Sequence, residues 1–162
     1  MEIQEHILAR YENLRAICQF NWETAELEKI KRAFIFAQDF IGENKFKHGE
    51  VILNHSLEVA TIIAQEIGLG PDSIISGMLH NVMYAGLEKK ATTKDIEKEF
   101  GKHISSILEG MLKINSLGTD TVDIHSENYR KLLIALAGDV RVILLKIADR
   151  LQCRTGRGAC GK

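Results

Sequence analysis

Proline is nearly missing from this chain. Only Pro71 occurs in 162 residues, so little interrupts helix formation. The cysteines, Cys18, Cys153 and Cys160, are odd in number and lack the spacing of a disulfide framework. That excludes a stapled secreted scaffold and points to a reducing compartment. No apolar run approaches the roughly 20 residues of a membrane-spanning helix, so no membrane partner is expected. The start, MEIQEHILARYENLRA, is charged throughout and lacks the apolar core of a signal peptide. The expected location is therefore the cytoplasm. Charge of one sign is also absent: 21 Lys and Arg stand against 22 Asp and Glu, for a net charge of −1. A balance like that supplies no field to attract nucleic acid or anionic lipid, and no nucleic acid partner is expected.

What is present is apolar and helical in pattern. Apolar residues make up 45% of the chain, enough for a real core in a single domain. A chain of this size hides roughly 70% of its unfolded surface. Ile3, Ile7, Leu14 and Ile17 lie near helical spacing and predict a first helix over 3–20. Leu27, Ile30, Phe34 and Ala37 predict a second over 24–41, with Thr24 as N-cap. After the polar loop GENKFKHGE, a third is expected over 54–67, ended by Gly68 and Gly70. Pro71 and Asp72 open a fourth, which is expected to carry His80-Asn81 and stop near Gly86. Thr92 and Asp95 read as a capping box for a short helix before Gly101, and 102–114 as another amphipathic helix. A loop over 115–123 and helices over 126–137 and 139–152 complete the expectation. The run VRVILLKIA could be a buried strand taken alone. No second strand of that quality exists to pair with it, so a buried helix and an all-α bundle are expected. The tail from 154 to 162, glycine-rich and cationic, is expected to be disordered. Within it Gly156, Gly161 and Lys162 match the first part of a phosphate-binding loop, which requires a strand before it and a helix with Ser/Thr after it, and no functional loop is expected.

Four positions bear on chemistry: His55, the doublet His80-Asn81, and Asp149 in KIADRL. On one helix, neighbouring residues point about 100° apart, so both members of a doublet can lean toward a cation beside it. Two further ligands from other helices would close such a site. Imidazole suits zinc-, iron- or manganese-like ions, and carboxylates suit harder ones. Alone, a His-Asn doublet is more simply a hydrogen-bonded helix end.

Three stretches change that weighing. HGEVILNHSLEVATIIAQ (48–65) resembles the S-G-E-P-Y-x-x-H-P-L-E-V-A segment of the RelA/SpoT homologue family, which makes and degrades the alarmone (p)ppGpp. GMLHNVMYAG with TTKDIEKEFGKHISSILEGMLKI behind it is similar to that family's A-L-L-H-D-V-x-E-D-T and the helix pair ending in E-G-V-T-K-L. SENYRKLLIALAGDVRVILLKIADRL (126–151) follows its ENxRKMLLAMxxDxRVxLxKLADRL almost step for step. The resemblance covers about 25–153. It implies an HD-type helical bundle spanning 1–153, and a metal-dependent 3′-pyrophosphohydrolase of (p)ppGpp.

Carried over by position, the resemblance places His55, His80 and Asp149 at metal-ligand positions, for Mn or a similar divalent ion. Asn81 stands where the fourth ligand is normally Asp, which removes one anionic ligand and weakens or abolishes ion binding. The family's water-activating Glu-Asp pair is here Tyr84-Ala85, so no catalytic acid or base is assigned. Phe46 stands at the position of a guanine-packing Arg. Lys47 remains beside it, and His48 lies near the nucleotide-contact loop, so Phe46, Lys47 and His48 are the expected substrate-facing residues. The family's His-Asn after A-D-R-L is Gln152-Cys153. His6, His103 and His125 have no ligand spacing and are expected at the surface. The resemblance therefore implies a degenerate hydrolase module. Two alternatives remain open: a regulatory or interaction domain of an alarmone synthetase, and an HD phosphohydrolase of another nucleotide. Family hydrolase domains continue beyond this last helix, and long members add a synthetase domain. Whether this chain is a natural short product or a fragment with a synthetase domain as neighbour is left open.

Overall fold

The computed structural model describes residues 2–116, 127 and 138–155, with the side chains of 154 and 155 excepted. Seven helices are described: α1 (Glu2–Gln19), α2 (Thr24–Ile41), α3 (Ile52–Ile62), α4 (Pro71–Leu79), α5 (Thr93–Phe100), α6 (Lys102–Ser116) and α7 (Val140–Thr155). There is no strand among the described residues, only an isolated antiparallel bridge between Lys45 and Val51. The all-α expectation holds, and VRVILLKIA is helical within α7.

Each outer helix buries one stripe. In α1 the stripe is Ile7, Tyr11, Leu14 and Cys18; in α2 it is Ile30, Ala33, Phe34, Ala37 and Ile41. Tyr11 and Phe34 stack with ring centroids 4.0 Å apart, tying α1 to α2. The central pair is different. Every residue of α4 from Ser73 to Leu79 is buried, and α3 buries seven of its eleven residues. A helix apolar all round belongs inside a bundle. Gly77 lets these two helices approach closely. A Cβ there would sit 2.5 Å from Ile63 Cδ1 and 3.4 Å from Ala60 Cα. After Ile62 the third helix widens into one π-helical turn, Ile63–Ile67, which Gly68 ends in the left-handed region at φ 72°.

Several boundaries differ from the sequence reading. Thr24 is the first residue of α2 rather than its N-cap; Glu23 takes that place, and its backbone N–H donates to Glu26 Oε2 at 3.0 Å. The third helix begins at Ile52, because the Lys45–Val51 bridge ends the preceding loop earlier than its polar composition suggests. The fourth ends at Leu79, so His80 and Asn81 lie in the turn after it. The physical reason is local. His80 Nδ1 donates back to the Gly77 carbonyl at 2.6 Å, and Val82 N–H closes on Leu79 O at 3.0 Å. Thr92 caps α5 as expected, accepting from Asp95 N at 3.2 Å while Asp95 Oδ2 accepts from Thr92 N at 2.8 Å. Apart from Glu127, the expected helix over 126–137 lies outside the described residues, as do His125, most of the 115–123 loop and the tail beyond Thr155.

Candidate metal centre

Three helices bring the distant residues together. His55 is the fourth residue of α3, His80 follows the last residue of α4, and Asp149 lies in α7. His55 Nε2 is 2.8 Å from Asp149 Oδ1, and His80 Nε2 is 3.5 Å from the same oxygen. All three potential ligand atoms lie within 4.8 Å of one another, and all three residues are buried. Two imidazole nitrogens and one carboxylate are a donor set suited to a borderline divalent ion.

Asn81 is buried beside them. Its Nδ2 lies 2.9 Å from His80 Nε2 and donates to Ser56 Oγ at 3.1 Å. As placed, the amide presents its N–H side to the centre, where an ion would need an oxygen. The described residues thus fit a metal at three positions, and at the fourth only after the amide turns over.

Around these lies a polar shell that sequence reasoning missed. Lys146 Nζ donates to Asp149 Oδ2 at 3.2 Å and to Asn115 Oδ1 at 2.9 Å. Glu50 Oε2 stands 3.7 Å from His55 Nδ1, and Glu50 Oε1 accepts from Gln152 Nε2 at 2.7 Å. Gln152 also donates to Glu58, which is paired with Arg10 of α1. One signal was available: Lys146 and Gln152 lie three residues either side of Asp149, so on a helix they share its face.

The loop before α3 covers the centre. Its backbone closes through Phe46 N–H to Glu50 O and Ile52 N–H to Asn44 O, both 2.9 Å. This buries Phe46, whose ring meets His55 and Tyr84 edge-on with centroids 5.4 Å away in each case. His48 stacks on the outer side of Phe46 and shares a hydrogen bond of 3.2 Å with Glu50. Lys47 and Ala85 are exposed, and neither reaches the centre through a described hydrogen bond or ion pair. His103, expected at the surface, is exposed but engaged: Nδ1 lies 2.9 Å from Asp72 Oδ2, and Arg141 contacts Nε2. Burial pushes the Asp72 carboxyl up, but hydrogen bonds from His103 and Lys29 outweigh it and hold the group below the ordinary range. Arg141 does the same to Asp139.

A helical bundle with two histidines and an aspartate drawn from three helices is the arrangement of an HD domain, and the family model described as HD domain matches residues 33–154. The relatives narrow this. A guanosine-3′,5′-bis(diphosphate) 3′-pyrophosphohydrolase of Aquifex aeolicus is 40% identical over 125 residues, 77% of this chain and 17% of that protein. The bifunctional (p)ppGpp synthase/hydrolase SpoT of Escherichia coli is 31% identical over 141 residues, 86% of this chain and 20% of that protein. A GTP pyrophosphokinase of Myxococcus xanthus is 35% identical over 129 residues, 77% of this chain and 16% of that protein. The chain belongs to the HD domain family, on its RelA/SpoT branch. It spans a fifth or less of the length of these relatives. No helix among the described residues is long and apolar enough to cross a membrane.

Proposed function

We propose that this chain is a degenerate (p)ppGpp 3′-pyrophosphohydrolase module of a cytoplasmic RelA/SpoT homologue, with weak or no turnover. In this reading His55, His80 and Asp149 are the ligands of a Mn-like ion, and Asn81 is a poor fourth. A bound ion would polarise phosphate oxygen and lower the pKa of its water. Phe46, Lys47 and His48 face the guanosine nucleotide, with Lys47 the fixed positive charge among the three.

The observation that carries the reading is Tyr84-Ala85. The half-buried Tyr84 ring packs against Phe46 over the centre, and Ala85 is exposed. A phenol and a methyl group cannot take a proton from water as a carboxylate pair does near neutral pH. A regulatory role toward a synthetase domain is the second reading. It is favoured by the match to a GTP pyrophosphokinase, together with the same lost pair.

Pyrophosphate release from (p)ppGpp by the purified chain in saturating Mn tests the proposal. Turnover is expected to be undetectable or very slow, since positioned acid–base groups contribute about 10²–10⁴-fold. A rate near ~1 s⁻¹, the low end of ordinary enzymes, overturns it.

A further inference from the structure

We infer that Asn81 closes this centre without an ion, so that the HD core is held, among the described residues, by an internal hydrogen-bond circuit that metal binding must break. The circuit can be followed atom by atom. His80 Nδ1–H donates to Gly77 O at 2.6 Å, which leaves the lone pair on Nε2. A lone pair needs a donor, and Asn81 Nδ2 supplies one at 2.9 Å. The second N–H of the same amide goes to Ser56 Oγ at 3.1 Å. The Ser56 hydroxyl in turn donates to Ile52 O at 3.1 Å. On the other side, a carboxylate oxygen only accepts, so the 2.8 Å contact with Asp149 Oδ1 requires the proton of His55 on Nε2. Asp149 Oδ2 accepts from the Lys146 ammonium, which supplies the positive charge beside this carboxylate.

An aspartate at position 81 could do none of this. It has no N–H for His80 or Ser56, and it would set a second negative charge near Asp149 in a buried site. Such a centre needs a cation to close. Asn81 replaces that need with N–H donors of its own.

An ion makes opposite demands on two residues. The Asn81 amide must turn its oxygen inward, and His55 must move its proton from Nε2 to Nδ1. His55 Nδ1 is buried and without a hydrogen-bond partner among the described residues, and Glu50 Oε2 waits 3.7 Å away. A metal-binding form would close that gap, because a ligating histidine usually donates its other N–H to a carboxylate or carbonyl. The ion-free and ion-bound centres therefore differ in the position of one named proton. This inference rests on the site reading above but not on the loss of turnover, and its test reads stability and proton positions rather than activity.

The experiment compares thermal unfolding of the unmodified chain and Asn81→Asp in excess EDTA and in millimolar MnCl2. The unmodified chain is expected to melt within about 2 °C in both. Asn81→Asp is expected to lose about 5 °C or more in EDTA and to regain it in Mn, at the sensitivity of a domain of this size. An unmodified chain that loses more than about 5 °C in EDTA overturns the inference, as does Asn81→Asp matching it in EDTA. Should the variant not fold, ¹⁵N NMR of the imidazoles in the unmodified, EDTA-treated chain decides alone. His55 protonated on Nε2 and His80 on Nδ1 is the expected pattern, and His55 protonated only on Nδ1 overturns it.

Discussion

Replacing Lys146 by Met should destabilise the ion-free protein and raise its affinity for Mn at once. Lys146 Nζ donates to Asp149 at 3.2 Å and to Asn115 at 2.9 Å. The Asp149 side chain is 2% exposed and that of Lys146 is 17% exposed. Methionine keeps the apolar stem and removes only the ammonium. Breaking a fully buried pair costs about 3–5 kcal/mol, while an exposed pair is worth about 0–1 kcal/mol. This pair lies nearer the buried limit, but His55 continues to donate to Asp149 after the change. A loss of about 2–3 kcal/mol follows, and a fall in Tm of about 5–10 °C. Thermal and urea unfolding in EDTA measures it. The same substitution in an Asp149→Asn background should cost much less, because the charge it leaves behind is gone. Mn titration gives the second arm: without the fixed cation near the carboxylate, a divalent ion meets less repulsion and binds more tightly. A stability change within about 0.5 kcal/mol, the range of ordinary surface substitutions, would refute the role given to Lys146. So would weaker Mn binding.

Three further outcomes are expected. Asn81→Asp alone should raise Mn content on metal analysis but recover little (p)ppGpp turnover, and Tyr84→Glu with Ala85→Asp should be needed before rates rise; full turnover from Asn81→Asp alone would contradict the assignment of that pair. Gly77→Ala should lose about 0–2 kcal/mol in urea unfolding, since crowding Ile63 costs about 1–3 kcal/mol and better helix propensity returns about 1 kcal/mol; a more stable variant would show that α3 and α4 can separate freely. Asp72 and Asp139 have folded pKa values held below the unfolded value of about 3.9, so the stability they contribute is present above that pH and lost as pH falls through the folded values. Tm should therefore drop from about pH 4 downward, and Asp72→Asn with Asp139→Asn should flatten that drop; an unchanged acid limb would count against the pairing with His103, Lys29 and Arg141.

Helical periodicity placed α2, α5 and α6 within a residue or two, because each buries one stripe against a polar face that is readable along the chain. The ADRL and LHN stretches likewise marked the residues that meet at the centre, since a motif records chemistry even when its members are far apart. Sequence spacing could not show that His80 and Asn81 sit past the end of α4. That depends on Gly77, whose missing side chain lets α3 close in and whose carbonyl takes the His80 proton. Nor could it show which side of the Asn81 amide faces His80. The choice is made by Ser56 one helix away, by the lone pair left on Nε2, and by where α7 sets Asp149 and Lys146. Residue types and their order are properties of the chain, so they name the family and the altered His-Asn doublet. Proton positions and amide orientation are settled by neighbours brought together across three helices, and only the packed structure supplies those neighbours.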